Sequence, residues 1–212
     1  MTSPFASDLR RRVDALPTEF RDQYLFEPTE HVVLDGVMQR VWRRGRWLWP
    51  LFWLASWFDA LFPETGSNVP VILKIQPQES GKRHLWRREF HFPGRRRRFT
   101  SRMEYDERLG CVVELIGAGG ALALAWHIRF EPPSRLALGA SGWFLRIGPW
   151  RLRLPQWILG TGQATETADP AKPGVIRIDF AVSHPFLGDV FGYAGTFQVR
   201  REAPPQRSPS NG

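Results

Sequence analysis

From residue 68 onward, apolar side chains recur at every second position, and little more than a tight turn separates one such run from the next. In "VPVILKIQ" Val69, Val71, Leu73 and Ile75 share one face. In "HLWRREFHF" Trp86, Phe90 and Phe92 oppose Arg87, Glu89 and His91, and in "FTSRMEY" Phe99, Met103 and Tyr105 oppose Thr100, Arg102 and Glu104. Nearer the C-terminus, Ile176, Ile178, Phe180 and Val182 alternate with Arg177 and Asp179. Phe191, Tyr193, Phe197 and Val199 then alternate with Thr196, Gln198 and Arg200. Alternation on one face belongs to half-buried antiparallel strands. The separators "ESGK", "FPGRR", "DERLG", "GAGG", "EPPSR", "GASG" and "IGPW" are too short for crossover helices, since parallel strands need a dozen or more residues between them. The pattern predicts a meander of about eight to ten strands. A sheet that large, apolar on one side, must curl around its own core or around a helix.

The first third of the chain supplies the helices. "SDLRRRVDALPTEFRDQY", residues 7–24, has Ser7 to cap it and Leu9, Val13 and Leu16 at helical spacing, with Pro17 restarting the helix before Phe20 and Tyr24. Residues 30–44 read as extended, with Asp35-Gly36 as a bulge or turn. The fold class is therefore α+β: a large curved antiparallel sheet, an open or closed barrel, with an N-terminal helix and one apolar helix packed on or in it. With 212 residues, a single domain is expected over 7–200. Residues 1–6 are expected to form a flexible N-terminus, and the proline-rich 201–212 a disordered tail. The single Cys111, within "CVVELI", reads as a small buried hydrophobe.

The second helix lies in "RRGRWLWPLFWLASWFDALFPE", residues 43–64. Its stretch from Trp47 to Phe62 has only Ser56 and Asp59 as polar side chains and holds four of the ten tryptophans. A membrane span needs about 20 apolar residues, so this segment is too short. Two readings stand. A helix apolar all round suits burial against the concave face of the sheet, as core or lid. Alternatively Trp49, Trp53 and Trp57 form one ridge that, with Trp47 and the collar of Arg43, Arg44 and Arg46, suits an anionic membrane interface.

Charge and chemistry are less directive. The excess of 29 Lys+Arg over 21 Asp+Glu, +8 in all, favours anionic partners. "GRRRRFTSR" reads as a solvated hairpin, because period two sends its aromatic neighbours inward, and no nucleic-acid module signature accompanies it. No nucleic-acid partner is expected. The five histidines show no metal-ligand spacing, and "SHPFLGD" places Ser183, His184 and Asp189 together without the strained turn a nucleophilic serine requires. "IGAGGALALAW" and "LGTGQA" read as turns, since no helix follows them as a phosphate loop demands. No catalytic residue, metal or cofactor is expected. One inner feature remains: Arg88 shares parity with Trp86 and Phe90, and His127 and Arg129 share parity with Ala121, Ala123 and Ala125. Small alanines leave room above a sheet. The two readings are a space filled by the apolar helix, with backbone groups or Asp59 satisfying the charges, and an apolar pocket holding an anionic head group at Arg88 or Arg129.

An ordered series of stretches gives the chain a family likeness. They are "LPTEFRDQY", "DGVMQRVWRRGR", "LFPETGSNVPV", "LWRREF" with "RRFTSRM", and "HPFLGDVFGYAGTF". Over roughly residues 15 to 200 the chain resembles the bacterial family catalogued as domain of unknown function 4166. That resemblance brings no activity and no catalytic residues. It does imply that a dehydrogenase-like protein is a candidate partner, because some relatives are joined to a saccharopine-dehydrogenase-like domain. The apolar segment is richer in tryptophan than the family leads one to expect. The functional expectation is a non-catalytic binding module for a lipid or other apolar molecule, with Trp49, Trp53, Trp57, Arg88, His127 and Arg129 as ligand-binding residues. Arg43, Arg44, Arg46 and Trp47 are the expected membrane contacts. The alternative is an accessory domain acting with an oxidoreductase. No secretory signal is visible, so a cytoplasmic location is expected, peripheral to the inner face of the membrane.

Overall fold

A computed structural model describes residues 3–148 and 150–202, without the side chains of Arg10 and Arg11. The alternating runs become β1 (His31–Arg43), β2 (Gly66–Gln78), β3 (Arg83–Phe92), β4 (Arg95–Asp106), β5 (Cys111–Ile116) and β6 (Leu122–Glu131). They continue as β7 (Arg135–Ile147), β8 (Trp150–Leu154), β9 (Thr161–Ala168), β10 (Val175–His184) and β11 (Gly188–Glu202). Every pairing is antiparallel. Neighbours run β6-β5-β4-β3-β2-β1-β11-β10-β9-β7, and β6 pairs with β7, so ten strands close into a barrel. β8 lies outside the ring: the first part of β7 pairs with β9, and its last five residues, Trp143–Ile147, pair with β8.

Parity decides what fills the barrel. Val69, Val71, Leu73 and Ile75 of β2 are buried, as are Trp86 and Phe90 of β3 and Phe191, Tyr193 and Phe197 of β11. Lys74, Arg87, Arg177 and Asp179 on the opposite faces are exposed. This apolar-in, polar-out arrangement is the reverse of a membrane-spanning barrel, whose outward positions are apolar. No helix among the described residues is long and apolar enough to cross a membrane. Asp35-Gly36, expected as a bulge or turn, runs straight through the β1 ladder, and the irregularity falls between Met38 and Arg40. Gly36 is there because β11 passes close by: a Cβ would sit 2.2 Å from the Thr196 carbonyl oxygen.

The N-terminal helix is broken into α1 (Ala6–Leu9), a 3-10 turn (Arg10–Ala15) and α2 (Thr18–Tyr24). Pro17 sits at the restart, as its lack of an N–H favours. These pieces plug one end of the barrel with Phe5, Leu9, Leu16, Phe20, Tyr24 and Leu25, none more than 1% exposed. The plug is fastened by polar links as well. Ser3 donates to the Tyr24 carbonyl at 2.6 Å, and Arg12 donates to the Phe130 carbonyl at 2.9 Å. Ser3–Ala6, expected within a flexible N-terminus, are therefore packed, because Phe5 supplies a ring to the core, 4.6 Å from that of Tyr24. Of the expected tail, Arg201 and Glu202 complete β11 opposite Val32 and His31; residues 1–2 and 203–212 lie outside the described residues.

At the other end sits α3 (Trp49–Ser56), half the length of the apolar stretch that contains it. Pro50 occupies its first turn, where proline is tolerated. The chain leaves the helix through Asp59, at φ 52, and is tied to the barrel by two backbone bonds. Thr100 N donates to the Asp59 carbonyl at 2.8 Å, and Ala118 N to that of Phe58 at 3.0 Å. Phe62 then turns inward against Phe90, Phe92 and Phe191. A one-turn helix α4 (Gln156–Leu159) flanks the same end, where the Trp143 indole donates to the Gly160 carbonyl at 2.8 Å.

Candidate functional site

Ten strands make a ring wider than the eight-strand ring that side chains just fill. The interior here keeps a cavity of about 260 Å³. Its wall is apolar, with Leu34, Leu73, Phe99, Met103, Leu124, Trp126, Leu138 and Ile176 among its residues. Leu51 and Ala55 of α3, Ala60 and Leu61 beyond it, and Leu159 of α4 line the open end, while Phe5, Gln23 and Tyr24 line the plugged end.

A polar floor lies against the plug. Glu166 of β9 and Gln23 of α2 are buried, and the Gln23 amide donates to both carboxyl oxygens at 3.3 Å. The Tyr24 hydroxyl donates to Glu166 Oε2 at 2.8 Å. Burial dominates the protonation of this carboxyl, raising it to about 7 against the lowering effects of Tyr24, Gln23 and Arg88. Burial likewise lifts Tyr193 to about 12 and Tyr24 well above the usual phenol range. Arg88 enters the same space from β3. It donates to Ser101 Oγ at 3.1 Å, approaches Glu114 Oε1 at 3.7 Å, and lies between the rings of Trp86 and Phe99, 5.1 and 4.7 Å from their centroids. The Trp126 indole donates to the other Glu114 oxygen at 2.9 Å. A buried cation needs such neighbours, since an unpaired charge in an apolar site is strongly disfavoured.

The expected ligand-binding residues separate. Arg88 lines the cavity, and its partners are Ser101 and Glu114 rather than Asp59. His127 and Arg129 are exposed on the outer face, with Arg129 paired to Glu131 at 2.7 Å. Their parity with Ala123 and Ala125 holds, but the alanine row faces outward. The larger Leu124 and Trp126 take the interior, and the alanines join Cys111, Val113 and Leu115 in a small outer cluster against Phe144. Trp49, Trp53 and Trp57 stay outside the cavity, 46%, 37% and 66% exposed, on a ridge in which Trp49 stacks on Trp53 at 6.0 Å and Trp57 meets Trp53 edge-on at 4.6 Å. Only Leu48 and Phe52 of this helical region are buried, Phe52 5.5 Å from the Phe191 ring. Neither Arg44 nor Arg46 has a carboxylate partner among the described residues, and Arg43 is held by the Pro63 and Gly45 carbonyls.

The exposed apolar residues gather at this mouth. Trp47, Trp49, Leu51, Trp53, Leu54, Trp57 and Phe58 surround α3, Trp157 and Ile158 belong to α4, and Phe186 tops the β10–β11 turn. These make ten of the fifteen large exposed apolar side chains among the described residues. Backbone contacts hold the pieces together: Arg44 N donates to the Val190 carbonyl at 2.9 Å, and Gly160 sits against Ser183 and His184. The arginine hairpin is charge-paired rather than free, with Arg95 and Arg97 on Glu64 and Arg96 and Arg98 on Glu89. Ser183 donates directly to Asp189, while His184 Nδ1 accepts from Phe186 N, so no hydrogen-bonded serine–histidine pair forms. No group of metal-ligating side chains is assembled among the described residues.

Sequence reasoning passed over Gln23, Glu114 and Glu166. Glu114 carried a signal, an acid inside "CVVELI" sharing parity with Val112 and Ile116. Glu166 carried none, because "TGQATETA" has no apolar face to set it against.

Comparison with known proteins agrees with the extent of the fold. Over 150 residues, 68% of this chain and 72% of the relative, it is 29% identical to the uncharacterized protein YndH of Bacillus subtilis (strain 168). Residues 16–197, from the second half of the plug to the last barrel strand, match one family across nearly every element described above, and the chain belongs to that family, the domain of unknown function DUF4166.

Proposed function

We propose that this protein binds an apolar, lipid-like molecule inside its barrel without acting on it chemically, and exchanges it with a membrane surface at the α3 mouth. The observation that carries the reading is the continuity of the interior with that mouth: the cavity's open end is lined by Leu51, Ala55 and Leu159, on the same two helices that expose tryptophan to solvent. Ligand sites of this kind have apolar walls and a few convergent polar groups. Trp47, Trp49, Trp53 and Trp57 suit the headgroup level of a bilayer, and Arg43, Arg44 and Arg46 suit anionic headgroups. Binding of the uncharged dye Nile red, followed by fluorescence, tests the interior site. Ala164 lines the cavity from β9, and Ala164→Phe is expected to abolish dye binding while the protein still unfolds cooperatively. Undiminished binding to a folded Ala164→Phe protein would sink the reading.

The exposed ridge on α3 also suits a protein partner, and the second reading is an accessory module docked through it on a dehydrogenase-like protein. A pull-down that returns no oxidoreductase from wild type, or the same one from a Trp49→Ser/Trp53→Ser/Trp57→Ser variant, counts against that reading.

A further inference from the structure

The polar floor of the cavity has more to bind than the protein supplies. Gln23 Oε1 and Trp86 Nε1 are buried without a hydrogen-bond partner among the described residues, and Glu114 Oε1 has only the 3.7 Å approach of Arg88. Tyr193 lines the same wall. With Glu166 ionised, as at pH 8.5, the Gln23 NH₂ faces its carboxylate and leaves Oε1 as an acceptor. Buried polar atoms in folded proteins nearly always find partners, so orphans on three residues that line one cavity point to a bound group.

The sign of the unmet demand identifies that group. Gln23 Oε1 and Glu114 Oε1 are acceptors, Tyr193 can accept, and Trp86 Nε1 alone is a dedicated donor. Two carboxyls, Glu114 and Glu166, face one guanidinium already engaged by Ser101 and Glu114. An incoming carboxylate or phosphate would meet acceptors and lose its hydration without a free cation to replace it. A hydroxyl would donate its one proton to one of these acceptors and accept from the Trp86 indole. Resting on the reading of the barrel as an apolar-ligand site, we infer that its ligand is an amphiphile with a hydrogen-bond-donating, non-anionic head, an alcohol being the simplest case. The head seats at the Gln23–Glu166–Glu114 floor and the chain runs toward α3. A cavity of about 260 Å³ holds roughly nine water-sized volumes, so a longer chain emerges at the mouth where the tryptophans lie.

The test is displacement of Nile red from the wild-type protein by ten-carbon competitors, decane, 1-decanol and decanoate, at pH 8.5 and fixed ionic strength. The alcohol is expected to displace the dye at a concentration about tenfold below that of decane, as one well-made buried hydrogen bond allows. Decanoate is expected to be weaker than both. Decanoate matching or surpassing decanol, or decanol no better than decane, overturns the head-group assignment while leaving an apolar cavity. Failure of all three to displace the dye overturns the cavity reading itself, and the assignment with it. Glu166→Gln offers a donor in place of an acceptor, so it is expected to shrink the tenfold decanol-to-decane ratio to below about threefold. An unchanged ratio would contradict the seat proposed for the head.

Discussion

The closed and open ends of the barrel are both rich in aromatic residues and leave them in opposite surroundings. At the closed end Phe5, Phe20 and Tyr24 are sealed in a broken helix, and the buried polar groups Gln23, Glu166 and His84 lie beside them. At the open end Trp47 and Trp57 are more than half exposed, and α3 leans on the barrel through little more than Phe52. An end that buries its rings stabilises the fold. An end that exposes them gives up that stabilisation, which makes sense where another apolar surface arrives. The contrast teaches that tryptophan content alone did not separate core from contact surface; what separates them is whether a second apolar face is available within the chain.

The contrast makes graded predictions. Phe20→Ala at the closed end is expected to destabilise the protein by about 3–5 kcal/mol, whereas Trp57→Ala at the mouth should stay within about 0.5 kcal/mol. Urea denaturation measures both, and equal losses would erase the distinction between the ends. Arg88→Met strands Glu114 in the interior and is expected to lose about 3 kcal/mol; adding Glu114→Gln should recover part of the loss, and a double variant no better than the single would break the pairing.

Two buried groups that titrate below pH 8, His84 and Glu166, sit near the closed end, and they pull in opposite directions. His84, stacked 4.5 Å from the Phe26 ring, is pushed by burial to about 3 from an ordinary 6.5, so its neutral form is kept and stability rises with pH between about 3 and 6.5. Glu166, raised by burial to about 7 from 4.5, stays protonated longer in the folded chain, so stability falls as pH climbs from about 4.5 through 7. The two slopes offset between about pH 4.5 and 6.5. Glu166→Gln removes one of them, and its stability is expected to climb through that window by on the order of 1–3 kcal/mol more than wild type does. Parallel pH profiles for the two proteins would contradict the account of Glu166. The smallest effect on stability is expected at the ridge: Trp53→Ser should leave the urea midpoint nearly unchanged yet weaken sedimentation with anionic vesicles, and unaltered vesicle binding would count against the ridge as a contact surface.

Much of this architecture was legible in the alternation of β2, β3, β4, β10 and β11, because one face of each strand meets the core and the other meets water. Closure was not, since the β6–β7 and β7–β9 pairings depend on a strand that splits its partners between β8 and β9. Arg88 was legible from parity with Trp86. His127 and Arg129 were placed on the wrong side because small residues were read as room in the interior, when Leu122, Leu124 and Trp126 on the alternate positions had the stronger pull inward. Glu166 was hidden by a polar strand whose inward face is made of Gly162, Ala164 and Ala168, small residues that carry no hydrophobic signal.

Hydrogen exchange measured by mass spectrometry, with and without vesicles rich in anionic lipid, tests the central claim most directly. Slowed exchange is expected over residues 44–59, 156–160 and 185–188, with no change over 5–25 at the plug. Protection spread over the plug or the outer strand faces, or no protection anywhere, would contradict a barrel that meets the membrane at its α3 mouth.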